Sequence, residues 1–245
     1  MNFGALALVG SGEYTESMLE LESMLLKAAS ARGKNGNYVQ IATAAGEESD
    51  SRVEYWKNLG QEQADRLGVP ARFLDIRNRE DVLSKDWSQE ISGASLIYFS
   101  GGNPHHLADS FRQTPLWQSV INEFSQGTSL AGCSAGAMFL GTHIPSFRGP
   151  FAHAVKGMNL IPGLNVLPHY DRYFGRIPRP VRGFIEKDRG DSYTIGIDEN
   201  TALYYFENGW KHFGRGRIHQ LSEDPHIITE TSGADLHLPL SIQLS

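Results

Sequence analysis

The stretch SLAGCSAGAMFLG, residues 129–141, holds the only cysteine of the chain, Cys133, directly before Ser134. Either side chain is of a nucleophilic type. In the pattern G-x-S-x-G the nucleophile stands on a sharp turn between a strand and a helix. The residues two before and two after it must be small, because a side chain there would collide with the turn. Gly132, Ser134 and Gly136 fit that frame, with a strand-like TSLAG before it and a helix-like run after it. Centred on Cys133, the flanks become Ala131 and Ala135 and the glycines are lost. The frame selects Ser134 and predicts that Cys133 points into the core as a small hydrophobe.

A serine hydroxyl needs a base, and the base needs an orienting acid. His169, in LNVLPHYDRY, directly follows a strand-like apolar run, where a base would project from the sheet edge. His143 and His153, in an irregular stretch, stay open as alternatives, whereas His105 and His106 open a helix. No Asp or Glu lies between Ser134 and His169, so the acid comes from elsewhere. YTIGIDENTAL offers Asp198 and Glu199 at the end of a strand, although both are also ordinary turn residues. Asp171, two residues past His169, suits a substrate contact.

An oxyanion hole takes one N–H from the residue after the nucleophile, here Ala135, and a second from a neighbouring loop. IYFSGGNPHHL runs a strand into Gly102 and Gly101, either of which can supply the second donor; Asn103 beside them is a substrate-binding candidate. Residues 172–189 carry six basic residues (Arg172, Arg176, Arg179, Arg182, Lys187, Arg189) against two acidic ones. In a chain of net charge −6 that is a local positive patch beside the presumed base. Arginine grips carboxylates in a bidentate way, so Arg172 and Arg176 are expected to hold an acidic group of the substrate.

These residues need elements to position them. Strand-length apolar runs alternate with amphipathic stretches: strands at 4–10, 37–44, 71–76, 94–102 and 128–132, and helices at 17–30, after 51 and at 114–127. Ser17 with Glu20, and Ser51 with Glu54, have the spacing of capping boxes. This rhythm predicts an α/β fold, a mainly parallel sheet with helices on both faces. From residue 193 the pattern turns to strands with short turns: YTIGID, TALYYFENGWKHFG with a hairpin turn at ENGW, and LPLSIQL at the end. No composition break marks a linker, so one domain spanning 1–245 is expected. No window approaches 18 apolar residues, so no membrane span is expected, and a cytoplasmic location is the default. One cysteine excludes an intramolecular disulfide and a cysteine-rich zinc site. The negative charge argues against nucleic acid as a partner.

Taken together, YFSGGNPHHL, GCSAGA, LPHY and GIDENTAL resemble the serine peptidase family of peptidase E and cyanophycinase, over roughly residues 94–206. The resemblance implies a flavodoxin-like fold shared with the class I glutamine amidotransferases, with C-terminal antiparallel strands. It implies a triad of Ser134, His169 and Glu199, with Asp198 as the fallback acid, and no metal or organic cofactor. The implied substrate is a small peptide, and family members occur as monomers or homodimers. Cyanophycinases look like GGDQ at the loop and DQHF at the base, where this chain has Gly101-Gly102-Asn103-Pro104 and Leu167-Pro168-His169-Tyr170. Peptidase E, whose substrates carry an N-terminal aspartate, looks like NPHF at the base, which LPHY matches better. The expected function is a serine hydrolase acting on a small, aspartate-containing peptide or isopeptide. The rivals are a non-catalytic binding protein of the same fold and a glutamine amidase using Cys133.

Overall fold

The computed structural model describes residues 3–145, 155–174, 193–221, 226–229 and 231–244. The first apolar run forms strand β1 (Leu6–Val9). Leu6 and Leu8 join one core and Ala5, Ala7 and Val9 the other, the alternation of a strand buried on both faces. The chain continues through α1 (Leu19–Ser30), β2 (Tyr38–Ile41), α2 (Asp50–Leu67) and β3 (Ala71–Leu74). Two short helices, α3 (Arg79–Leu83) and α4 (Ser88–Ile91), precede β4 (Leu96–Phe99). Then come α5 (Pro104–Phe111), α6 (Pro115–Ser125), β5 (Ser129–Cys133) and α7 (Ala135–Leu140).

Strands β1 to β5 are parallel and lie in the order β1-β5-β4-β2-β3. Leu21, Leu25 and Ala28 of α1 and Ala64 of α2 pack on one face, against the small residues Ala7 and Ala131. On the other face Phe111, Val120, Phe124 and Phe139, from α5, α6 and α7, pack against Leu8, Ile97 and Leu130. This is the doubly covered, mainly parallel sheet that the alternation of strands and helices predicts.

Past α7 the chain forms a two-stranded ribbon, β6 (His143–Ile144) with β7 (Val155–Lys156), then β8 (Leu164–Leu167) and a single π-helical turn, Tyr170–Phe174. There follow β9 (Tyr193–Ile197), β10 (Thr201–Phe206), β11 (Gly209–Gly214), β12 (Ile218–Gln220), β13 (His226–Thr229) and β14 (Asp235–Leu236). Strands β10, β11 and β14 add antiparallel to the β1 edge, while β13-β12-β9-β8 form a second sheet. The ENGW turn joins β10 to β11, with Glu207 and Asn208 at φ 50° and 65° as a type I′ hairpin requires.

Three local expectations are corrected. Ser17 does not cap α1: a 3-10 turn at Glu16–Met18 precedes the helix, and Ser17 Oγ donates to Asn200 Oδ1 instead. Helix α2 starts at Asp50, so Ser51 lies inside it and shares a hydrogen bond with Ser49 Oγ. A capping box does form elsewhere, between Asn78 and Asp81. LPLSIQL is not a strand: Pro239 has no N–H for a ladder, and Leu238, Leu240 and Ile242 pack on the core as an irregular tail pinned by Gln243 N–H to Leu160 O. Among the described residues no helix is long and apolar enough to cross a membrane.

Candidate active site

Strand β5 lies between β1 and β4, and the chain turns sharply at its end into α7. Ser134 stands at that turn with φ 51° and ψ −109°. A non-glycine residue held there costs about 1–3 kcal/mol, so the surroundings must impose it. Its N–H donates to Val9 O across the sheet, and its carbonyl accepts the N–H of Met138 in α7. The flanking glycines have a steric reason. A Cβ on Gly132 would stand 2.4 Å from Gly136 O, and one on Gly136 would stand 2.2 Å from Phe99 O.

His169 ends the stretch after β8, also at positive φ, 50°, with its N–H directed to Gly10 O just past β1. Its carbonyl accepts the N–H groups of Arg172 and Tyr173, three and four residues on, where the π-helical turn begins. Nε2 lies 3.0 Å from Ser134 Oγ, and Nδ1 lies 2.9 Å from Glu199 Oε1. Glu199, in the turn between β9 and β10, is itself held by its N–H bond to Asp171 Oδ1 at 2.9 Å. The His169 hydrogen bond holds the Glu199 carboxyl below its ordinary range, with Arg172 adding to the effect and burial opposing it. The structure thus brings Ser134, His169 and Glu199 into one hydrogen-bonded line.

Other expected residues stand differently. Asp198 spends Oδ1 on His219 Nε2 at 2.9 Å and Oδ2 on the N–H of Arg217 at 2.8 Å, so the fallback acid is committed elsewhere. Asp171, expected at the substrate, braces Glu199 through Oδ1. Arg172 places its guanidinium 3.2 Å from Glu199 Oε1 and near the Tyr173 ring, while staying 63% exposed. Asn103 caps α5: Oδ1 accepts the N–H groups of His105 and His106, and Nδ2 donates to Glu47. With Pro104 at the first helical position, that asparagine satisfies the helix start. Arg176, the basic residues after it and His153 lie outside the described residues. His143 sits on β6, paired with Lys156.

At the presumed oxyanion site, the N–H of Gly101 is taken by Glu13 Oε1 at 3.0 Å, so Gly101 is not a free donor. Among the described residues no hydrogen bond engages the N–H of Ala135 or of Gly102. Cys133 is buried as expected, but its thiol also donates to Glu13 Oε2 at 2.9 Å. Burial, with the neighbouring Glu13 carboxylate, pushes the thiol pKa well above its usual value. A thiol held protonated is a poor nucleophile. Glu13 escapes a reading of the sequence: its only signal is its place in the loop after β1, the strand beside the elbow. Among the described residues no group of three or more His, Cys, Asp or Glu side chains is placed to hold a metal.

The fold is a flavodoxin-like sheet, and the family match places the chain among the serine-type peptidases. It belongs to peptidase family S51, whose model matches residues 6–212. It is similar to the cyanophycinase of Nostoc sp., 26% identical over 215 residues, covering 82% of this chain and 67% of that one. The peptidase E of Nostoc sp. is 27% identical over 160 residues, covering 60% of this chain and 64% of that one. A solved peptidase from an acI-B1 Actinobacterium superposes with a TM-score of 0.88 at 41% identity, covering 96% of this chain and 97% of that one. A peptidase E protein from Listeria monocytogenes shares the fold, with a TM-score of 0.60 at 18% identity over 86% of this chain and 98% of that one.

Proposed function

We propose that the chain hydrolyses a small, aspartate-containing peptide or isopeptide, with Ser134 as nucleophile, His169 as base and Glu199 as orienting acid. The observation that carries this reading is the pair of hydrogen bonds, 3.0 Å and 2.9 Å, that link hydroxyl, imidazole and carboxylate. With Nδ1 protonated toward Glu199, Nε2 accepts the Ser134 proton as Oγ attacks the scissile carbonyl. Glu199 holds that tautomer and stabilises the imidazolium that forms. The N–H groups of Ala135 and Gly102 are the donors left to meet the oxyanion. His169 then protonates the leaving amine, and water, activated by the same imidazole, releases the acid and restores Ser134.

Arg172, three residues past the proposed base, supports an acidic substrate. Arg172 has one arm on Glu199 and the rest of an exposed guanidinium turned to solvent beside His169. Such a fork matches a carboxylate. The kinship with a peptidase E and with cyanophycinases supports a peptide or isopeptide amide as the bond cleaved. A panel of Asp-X, β-Asp-X and neutral dipeptides tests the reading. Hydrolysis of an acidic member, lost in Ser134→Ala, is expected; neutral dipeptides cleaved as fast as acidic ones would contradict the substrate class.

A further inference from the structure

Glu13 is not among the residues proposed to do the chemistry, yet it joins the two loops beside them. It leaves the sheet four residues after Val9, next to the elbow. Oε1 accepts the N–H of Gly101 at 3.0 Å, and Oε2 accepts the thiol of Cys133 at 2.9 Å. The fit is tight. A Cβ on Gly101 would stand 2.7 Å from Glu13 Oε1 and 3.3 Å from Ser134 Cβ. One carboxylate therefore ties the last residue of β5 to the first glycine of the loop after β4, next to the nucleophile. Cys133 suits the task, because a fully buried thiol keeps its proton and stays a donor.

We propose that Glu13 and Cys133 are positioning residues that fix the Gly101–Gly102 loop against the elbow and so set the geometry of the oxyanion hole. The inference rests on the serine-peptidase reading above. By engaging the N–H of Gly101, Glu13 leaves the N–H of Gly102 as the loop's donor and holds the loop at the reach that donor needs. An oxyanion exists only in the transition state and its intermediate. A loosened donor therefore lowers kcat and leaves KM nearly unchanged. The chain's single cysteine thus serves as a hydrogen-bond donor one residue from the nucleophile.

The test uses the full chain as wild type, Cys133→Ala, Cys133→Ser, Glu13→Ala and Glu13→Gln. Four quantities are measured: the rate of labelling by a small fluorophosphonate, kcat and KM on the best peptide, and Tm. Cys133→Ala and Glu13→Ala are expected to lower kcat and the labelling rate together, by something on the order of 10- to 100-fold, as ångström-scale misplacement does. Cys133→Ser restores most of the rate, because a hydroxyl donates to the same Oε2. Glu13→Gln keeps an acceptor for Gly101 but turns an amide N–H toward the thiol, and falls between Glu13→Ala and wild type. Should Glu13→Ala fail to fold, the two Cys133 variants still decide. A Cys133→Ser variant no faster than Cys133→Ala, or variants all as fast as wild type, overturns the positioning role and leaves the serine-peptidase reading standing. A wild type that takes no label overturns both.

Discussion

Ser134 and His169 both sit at positive φ, and each is held there by a hydrogen bond to the chain at the end of β1, Ser134 to Val9 O and His169 to Gly10 O. The same short segment of backbone therefore places the proposed nucleophile and the proposed base relative to each other. Ser134→Ala is expected to lower the rate by several powers of ten, read as kcat on an acidic dipeptide. Glu199→Gln keeps the shape but loses the charge and tautomer control, and a loss on the order of 10⁴-fold is expected. Because its folded pKa is depressed, Glu199 contributes stability that is present above its ordinary value and is lost as pH falls through the folded one. In Arg172→Ala the carboxyl midpoint, followed by NMR, moves up only part of the way, since the His169 bond is the larger cause. Ser134 was legible because the glycine frame is a local steric requirement. The partners of Asp171, Arg172 and Asn103 were not legible, because Glu199 and Glu47 come near them only in the fold. Glu13 was illegible: its bond to Cys133 spans 120 positions.

At the scale of elements, the elbow works because β5 and α7 meet with no side chain between them. In Gly136→Ala the new methyl would stand 2.2 Å from Phe99 O, so β4 or α7 must shift. Destabilisation of about 1–3 kcal/mol is expected from overpacking, measured as a drop in urea midpoint, with activity falling alongside. Under α7, the rings of Phe99, Phe111, Trp117 and Phe139 form one aromatic cluster with centroids 5.0 to 6.3 Å apart. Phe139→Ala removes its centre and is expected to cost about 3–5 kcal/mol by the same measurement. The strands of the parallel sheet were legible because each is a short apolar run between turn signals. The caps were not: serine with glutamate three residues on is common in helices, and the true start depends on where the preceding loop releases the chain. The tail beyond β14 has the apolar content of a strand but is packed as a covering segment, a choice the pattern alone does not encode.

For the molecule as a whole, the small-residue face of the sheet carries a buried acid the chemistry does not use. Glu22 is 1% exposed and accepts a hydrogen bond from Tyr38 Oη at 3.0 Å; burial raises its pKa from 4.5 to about 8. Between those values the folded chain keeps a proton that the unfolded chain has released. Unfolding free energy therefore falls as pH rises through that window, by up to about 1.4 kcal/mol per pH unit, and levels off above it. Denaturant midpoints across the window are expected to show this slope in wild type and a flatter one in Glu22→Gln. The α/β class was legible in the rhythm of the chain, whereas the split of the C-terminal strands between two sheets was not, since it depends on which edge each strand reaches. The central claim is that this assembly activates Ser134. Intact-mass analysis after treatment with a small fluorophosphonate tests it most directly. One adduct on wild type and none on Ser134→Ala is the predicted result; no adduct on wild type, or an equal adduct on both, contradicts it.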